Sequence, residues 1–216
     1  MKSFLVIGMG LFGQNLARKL SELGSDVMIM DRDPEIIDKL APHFTDACIG
    51  DSTNEAVLRS IGVNSFHTCF VTTGENFQSS LETTSLLKDL GAKYVISKAT
   101  TEIHAKFLLR NGADEIICPE KESAIKLAIR SSAKHIYDYI DITPDFSVYE
   151  VPFPESWIGK TIASIDVRRK HSINIIAINH DEQIIQMPGP DYVFQPGEHL
   201  IVTGKAADIQ KFTSRL

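Results

Sequence analysis

An α/β fold is predicted: a doubly wound parallel sheet followed by a small α+β C-terminal domain. Three observations predict it. Short apolar runs alternate with amphipathic stretches from the start of the chain to about residue 135. The first run, Phe4-Leu5-Val6-Ile7, enters three glycines spaced G-x-G-x-x-G: Gly8, Gly10 and Gly13. Beyond about residue 146 the pattern becomes β-rich, with alternating polar and apolar residues. Strands this short and this apolar mark a parallel sheet covered on both faces. Six of them with intervening helices make a Rossmann-like domain.

Leu5–Ile7 is the first strand. Gly8 turns the chain, Gly10 lets a pyrophosphate approach the backbone, and Gly13 lets the next helix pack on the strand. Gly8, Gly10, Leu11, Phe12 and Gly13 thus form a candidate phosphate cradle, with helix N–H groups and the positive dipole end facing an anion. Leu16, Leu20 and Leu23 mark that helix's apolar side, and Gly24 stops it. Val27–Met30 is the second strand. It ends on Asp31, 18 residues after Gly13, where such folds set a carboxylate on the adenosine ribose hydroxyls. An acid there disfavours the 2′-phosphate of NADP. Arg32 either stacks over the adenine or lies solvated.

Asp33-Pro34 caps and opens a second helix carrying Ile36, Ile37 and Leu40. Ala47–Gly50 is the third strand. Asp51, Ser52 and Thr53 follow at its ligand-binding end, although Ser52 or Asn54 can equally cap the helix of Val57, Leu58 and Ile61. Thr68–Thr72 is the fourth strand, with Thr73 and Gly74 on the same rim. A helix over Glu75–Leu90 ends at Gly91. Tyr94–Ser97 is the fifth strand, and Lys98 after it either reaches phosphate or snorkels at the surface. Glu102–Leu109 is helical, and Glu115–Cys118 is the sixth strand. Glu120–Tyr139 reads as a long helix, either a final packing helix or a crossover or dimer helix. Asp141–Asp145 reads as a linker, which sets domains at 1–140 and 146–216. In the second, Ser147–Val151 is a strand, Thr161–Val167 a short helix and Ile173–Ile178 a strand. His180–Gln183 turns into Ile184-Ile185, Gln195–Glu198 turns into a strand over His199–Gly204, and Ala207–Phe212 is a closing helix.

Composition narrows the function. Apolar residues make up 43% and charged residues 23%, enough for a packed core. A net charge of −6 and the absence of a long basic run argue against binding a nucleic acid polymer. Cys48, Cys69 and Cys118 are isolated and lack a C-x-x-C partner, so they read as core thiols of a reducing compartment. The seven histidines show no H-E-x-x-H or paired ligand spacing, and no G-x-S-x-G occurs. No apolar run reaches membrane-span length. The expectation is a cytoplasmic protein; any membrane connection must come through a partner.

Taken together, Phe4–Gly13, Asp31, Gly50-Asp51-Ser52-Thr53 with Glu55, Thr73-Gly74, and Gly112-Ala113-Asp114 before Pro119-Glu120-Lys121 resemble the RCK (KTN, or TrkA-N) domain. Ile158-Gly159-Lys160-Thr161 and Pro196–Gly204 resemble its companion TrkA-C domain. The single-copy length is most similar to stand-alone Ktr-type subunits. The resemblance implies a non-enzymatic regulatory subunit of a membrane potassium transporter of Ktr or Trk type, a homodimer assembling to an octameric ring. It implies an N-domain that binds ATP, ADP, AMP or NAD(H), with ligand-dependent ring shape. It also sets Glu120 near the terminal phosphate and a Mg2+, Ca2+ or Na+ ion at the dimer interface. Without it, Glu120 reads as an acid favoured at a helix start. Many Ktr-type relatives have Arg where Leu11 stands. That departure removes a charge-assisted phosphate contact and favours ADP, AMP or NAD(H) over ATP.

Some Ktr-type relatives bind c-di-AMP in the second domain. The matching residues here are Ile162, Ile165, Asp166, Val167, Arg168, Asn174, Ile175, Ile176 and Pro190. Arg would meet phosphate and Asn adenine, with the isoleucines as walls; the same apolar spacing also builds a core. The alternative functions are an NAD-dependent oxidoreductase and an adenine-nucleotide sensor for another partner. A dehydrogenase needs an acid or base beside the nicotinamide, and the short tail offers no such constellation.

Overall fold

The alternation of short apolar strands and amphipathic helices does build a parallel sheet. The computed structural model describes residues 2–74, 76–132, 135–143, 146–181 and 183–216. It divides into two compact units, Met1–Lys121 and Glu122–Leu216.

The first unit runs β1 (Ser3–Ile7), α1 (Leu11–Glu22), β2 (Asp26–Asp31), α2 (Pro34–Leu40), β3 (Asp46–Ile49), α3 (Glu55–Ser60), β4 (Thr68–Val71), α4 (Phe77–Asp89), β5 (Val95–Lys98), α5 (Glu102–Arg110) and β6 (Glu115–Ile117). The strands pair in parallel in the order β3-β2-β1-β4-β5-β6. Side chains alternate across the sheet, so successive residues of β1 feed opposite layers. Leu5 and Ile7 join Met30, Leu58, Val71, Leu87 and Val95 on one face. Val6 joins Met9, Ala17, Val27, Ile29 and Ile37 on the other. The chain leaves β1 towards β2 and β3, then returns to β4 on its other side. That reversal opens a crevice at the carboxyl ends of β1 and β4, the position at which such sheets bind ligands.

Local chemistry starts the helices. Asp33, Asn54, Asn76 and Thr101 each accept a backbone N–H from the first turn of the helix they cap. Asn54, not Ser52, therefore caps α3. The expected start of α4 at Glu75 lies outside the described residues. His104 is buried in α5, with Nε2 2.7 Å from Ser80 Oγ. Its Nδ1 accepts the Thr100 N–H at 3.4 Å, and burial pushes its pKa down. Cys69 is buried and its thiol is pushed up to about 12, while Cys48 and Cys118 are half-buried.

α6 (Pro119–Ser132) is followed by β7 (Asp138–Thr143). The expected helix over Glu120–Tyr139 is thus too long at its C-terminal end; Ala133 and Lys134 lie outside the described residues. Tyr139 is buried and Ile140 exposed, the period of a strand. The expected linker is likewise strand at 141–143, while Pro144 and Asp145 lie outside the described residues.

β7 opens the second unit's antiparallel sheet with β8 (Phe146–Val151), β9 (Asn174–His180), β10 (Gln183–Gln186) and β11 (His199–Gly204), in the order β10-β9-β11-β8-β7. The expected helix over Thr161–Val167 is two short ones, α7 (Ile162–Ile165) and α8 (Val167–His171), broken at Asp166 with φ 56°. α9 (Ala206–Thr213) closes the chain. Trp157, Phe194, Ile178, Leu200, Val202 and Phe212 form the centre of this core. Glu198 is buried there, accepting Tyr192 Oη–H and the Gln195 N–H. Glu182, expected in the β9–β10 turn, lies outside the described residues. No helix among the described residues is long and apolar enough to cross a membrane.

Candidate nucleotide site

The crevice is lined by β1, β2, β4 and β5, each delivering a residue from its carboxyl end. Gly8 has φ +96°, a conformation that L side chains rarely adopt, and a Cβ there would come 2.5 Å from Thr73 Cγ2. A Cβ on Gly13 would overlap the Gly8 carbonyl oxygen and lie 2.7 Å from Thr72 Oγ1. Those two glycines are required by packing. Gly10 differs: it is extended at the N-cap of α1 with no side-chain cap, and a Cβ there would meet nothing within 4 Å. The helix start is therefore open in front of Gly10 and its N–H groups lack a side-chain acceptor, which suits an incoming anion.

Asp31 stands beside this opening. Its Oδ2 accepts the Met9 N–H at 2.6 Å and its Oδ1 the Asp33 N–H at 3.0 Å. The carboxylate is thus fixed between the turn after β1 and the end of β2. Each oxygen retains acceptor capacity for a hydroxyl pair. Thr72 locks the turn from β4: its hydroxyl lies 2.6 Å from the Gly8 carbonyl oxygen and 2.9 Å from that of Ile7. Gln14 Nε2 donates to the Met9 carbonyl at 2.8 Å. Next along, Thr73 Oγ1 is buried with no hydrogen-bond partner among the described residues. Such a group costs stability and calls for an explanation, which a polar ligand at this rim can supply.

Lys98, at the end of β5, crosses the crevice. Its stem lies against Gly74, where a Cβ would approach Cδ to 3.4 Å. Its ammonium stands 5.9 Å from the centre of the Phe12 ring in the first turn of α1, and pairs with the Glu120 carboxylate at the start of α6. The two partners differ in environment: the Lys98 side chain is 14% exposed and that of Glu120 67%. The hydrogen bond from Lys98 holds the Glu120 carboxyl below its usual range. No group of three or more His, Cys, Asp or Glu able to hold a metal occurs among the described residues.

The structure therefore brings Gly8, Gly10, Phe12, Gly13, Asp31, Thr73, Gly74, Lys98 and Glu120 to one rim. Others are placed differently. Leu11 is 83% exposed. Ser52 turns to Thr83 (Oγ–Oγ1 2.8 Å). Asp51 accepts the Thr53 N–H and hydroxyl at 2.9 and 2.8 Å, contacts that with the Arg32 charge hold its carboxyl below the usual range. In the second unit Arg168 Nε donates to Asn174 Oδ1 at 2.6 Å on the surface. Ala163 N–H meets the Pro190 carbonyl at 2.9 Å, Asp166 takes the left-handed conformation, and Ile176 is exposed. Ile165 is buried in the core, and Ile162 and Ile175 pack against it. Sequence reasoning missed the Met9 N–H, Thr72, Gln14 and Thr83. Only Thr72 left a signal, as the first of the run Thr72-Thr73-Gly74 closing an apolar strand.

Comparison with known proteins agrees with this architecture. The TrkA-N domain model matches residues 4–119 and the TrkA-C domain model residues 147–216. The chain is 37% identical over 215 residues to the Ktr system potassium uptake protein C of Bacillus subtilis, covering 100% of this chain and 97% of that one. It is 34% identical over 211 residues to protein A of the same system and organism, covering 98% and 95%. Among solved structures, a GsuK channel bound to NAD superposes with a TM-score of 0.71 at 16% identity, over 98% of this chain and 39% of that one. At that identity the likeness is one of fold.

Proposed function

The chain belongs to the family of paired TrkA-N and TrkA-C domains, and from that premise we propose that it is the nucleotide-sensing regulatory subunit of a membrane potassium uptake system. Near-full-length identity to Ktr system potassium uptake proteins supports the partner class. The observation that carries the sensing role is the open face at Gly10 beside the fixed Asp31 carboxylate, at the sheet's reversal point. Gly8, Gly10 and Gly13 hold the pyrophosphate, Asp31 takes the ribose hydroxyls, Arg32, Asp51 and Thr53 take the adenine side, and Thr73, Gly74 and Lys98 border the phosphates. The ligand is an adenine nucleotide, ADP, AMP, ATP or NAD(H). Leu11 places no charge at the helix start, which favours the ligands with fewer phosphates or NAD(H). The subunit acts as a homodimer within an octameric ring on the cytoplasmic face of its partner, with Glu120 close to a bound Mg2+, Ca2+ or Na+ ion. It signals by shape and is not an enzyme. The ligand shifts ring conformations only by its difference in affinity between them. Arg168 and Asn174, already paired on the surface, are the core of a second site for c-di-AMP.

Thermal unfolding against ATP, ADP, AMP, NAD+, NADH and c-di-AMP, with Asp31→Ala as control, tests this. A ligand bound only by the folded chain stabilises it by about 2.7 kcal/mol at a hundredfold excess over Kd. A shift with an adenine nucleotide that Asp31→Ala abolishes is expected. The absence of any shift overturns the sensing role. Co-purification with a potassium transporter subunit from membranes tests the partner.

A further inference from the structure

We propose that Glu120 is a built-in competitor for the phosphate site: it neutralises Lys98 until a nucleotide phosphate takes its place. The inference rests on the nucleotide reading above and concerns what regulates that site.

Three observations carry it. The first is where the cation sits. Lys98 passes Gly74 and ends beside Phe12, within the first turn of the helix whose open N-terminus faces the crevice. Residues 11–13 of that turn carry no charge, so Lys98 supplies the positive side chain at this helix start. The second is asymmetry. Lys98 is 14% exposed, its stem running along Gly74 and its ammonium 5.9 Å from the Phe12 ring centre, whereas Glu120 is 67% exposed. A desolvated cation needs an anion beside it, while an exposed carboxylate regains water at small loss when it lets go. The cation stays and the anion is exchangeable. The third is charge. A diphosphate carries more negative charge than one carboxylate, and it would gain the free N–H groups of α1 along with the ammonium. Glu120 gains nothing comparable from that helix.

The pair is thus an internal stand-in for ligand. Affinity for a phosphate-bearing ligand is set by the difference between what phosphate gains at Lys98 and what Glu120 gives up. Whatever draws Glu120 away tightens nucleotide binding, and bound nucleotide frees Glu120 by the same amount, since the coupling is reciprocal.

Calorimetric titration of the full chain with ADP and with adenosine, in EDTA so that no divalent cation bridges carboxylate and phosphate, tests the proposal. Glu120→Gln should tighten ADP about two- to fivefold, the range an exposed ion pair allows, and leave adenosine unchanged. Lys98→Met should weaken ADP about tenfold or more and leave adenosine unchanged. The double variant should match Lys98→Met alone, because the competitor has nothing left to hold. Lys98→Arg retains the charge and separates loss of the cation from misfolding. Unchanged or weaker ADP binding in Glu120→Gln overturns the competition while leaving the nucleotide site standing. If the unmodified chain binds neither ADP nor adenosine, the nucleotide reading falls and takes this inference with it.

Discussion

Gly10 and Gly13 lie three residues apart and do different work, which separates stability from binding. A methyl at Gly13 overlaps the Gly8 carbonyl oxygen, with Thr72 Oγ1 close behind. Gly13→Ala should cost roughly 1–3 kcal/mol, read as a lower urea midpoint. A methyl at Gly10 meets no protein atom, and its φ of −66° suits any residue. Gly10→Ala should leave the urea midpoint within about 0.5 kcal/mol and yet abolish the thermal shift given by nucleotide, because the methyl stands where the pyrophosphate approaches. A spacing motif made both glycines legible, and Asp31 with them, because strand, turn and acid are close in sequence. All three of Phe12, Lys98 and Glu120 were placed around the phosphates, but the ion pair of Lys98 with Glu120 was not legible. They come from three separate elements, and only the order of β1, β4 and β5 in the sheet brings them together. Thr72 was hidden for a simpler reason: a hydroxyl that bonds carbonyls across the sheet looks, in sequence, like any strand-ending threonine.

At the scale of elements, strands enclosed by turn residues were read to within a residue or two. Helix starts followed where Asp33 and Asn54 offered caps. The failure came after α6. Ile136, Tyr137, Tyr139 and Ile140 are apolar at spacings that satisfy a helix, and the period of two in Tyr139 and Ile140 is too short to outvote it. The strand assignment has a measurable consequence. Tyr139 is buried and stacks on Tyr149 with ring centres 5.9 Å apart, whereas Ile140 points to solvent. Tyr139→Ala should cost about 3 kcal/mol and Ile140→Ala well under about 1 kcal/mol in denaturant unfolding. Equal costs would contradict the strand. Asp166 shows a second limit. Thr161–Val167 is helical by composition, but a left-handed residue splits it, and only tertiary packing selects that conformation.

For the whole chain, titratable groups in the two units limit the pH range at both ends. In the first, burial lowers the pKa of His104, so the unfolded chain binds its proton more readily. That contribution is intact above the unfolded value near 6.5 and is lost as pH falls. In the second, burial and then the Glu198 hydrogen bond push Tyr192 up to about 12. Its contribution is intact below the unfolded value of about 10 and is lost as pH rises towards about 12. Urea midpoints measured across pH should fall at both ends. His104→Gln should flatten the acid limb alone and Tyr192→Phe the alkaline limb alone.

The sheet order also bears on how the chain is made. β1 precedes β2 and β4 in the chain, yet it lies between them in the sheet, with β2 on one side and β4 on the other. It cannot be flanked until Thr68–Val71 has been synthesised, so its edge is exposed to wrong pairings during that interval. All six strands of this sheet are complete by Ile117, and none is borrowed from residues after Lys121. At a translation rate of about 5–20 residues per second, the second unit, Glu122–Leu216, takes on the order of 5–20 s to appear. The first unit therefore has time to fold before the second is complete.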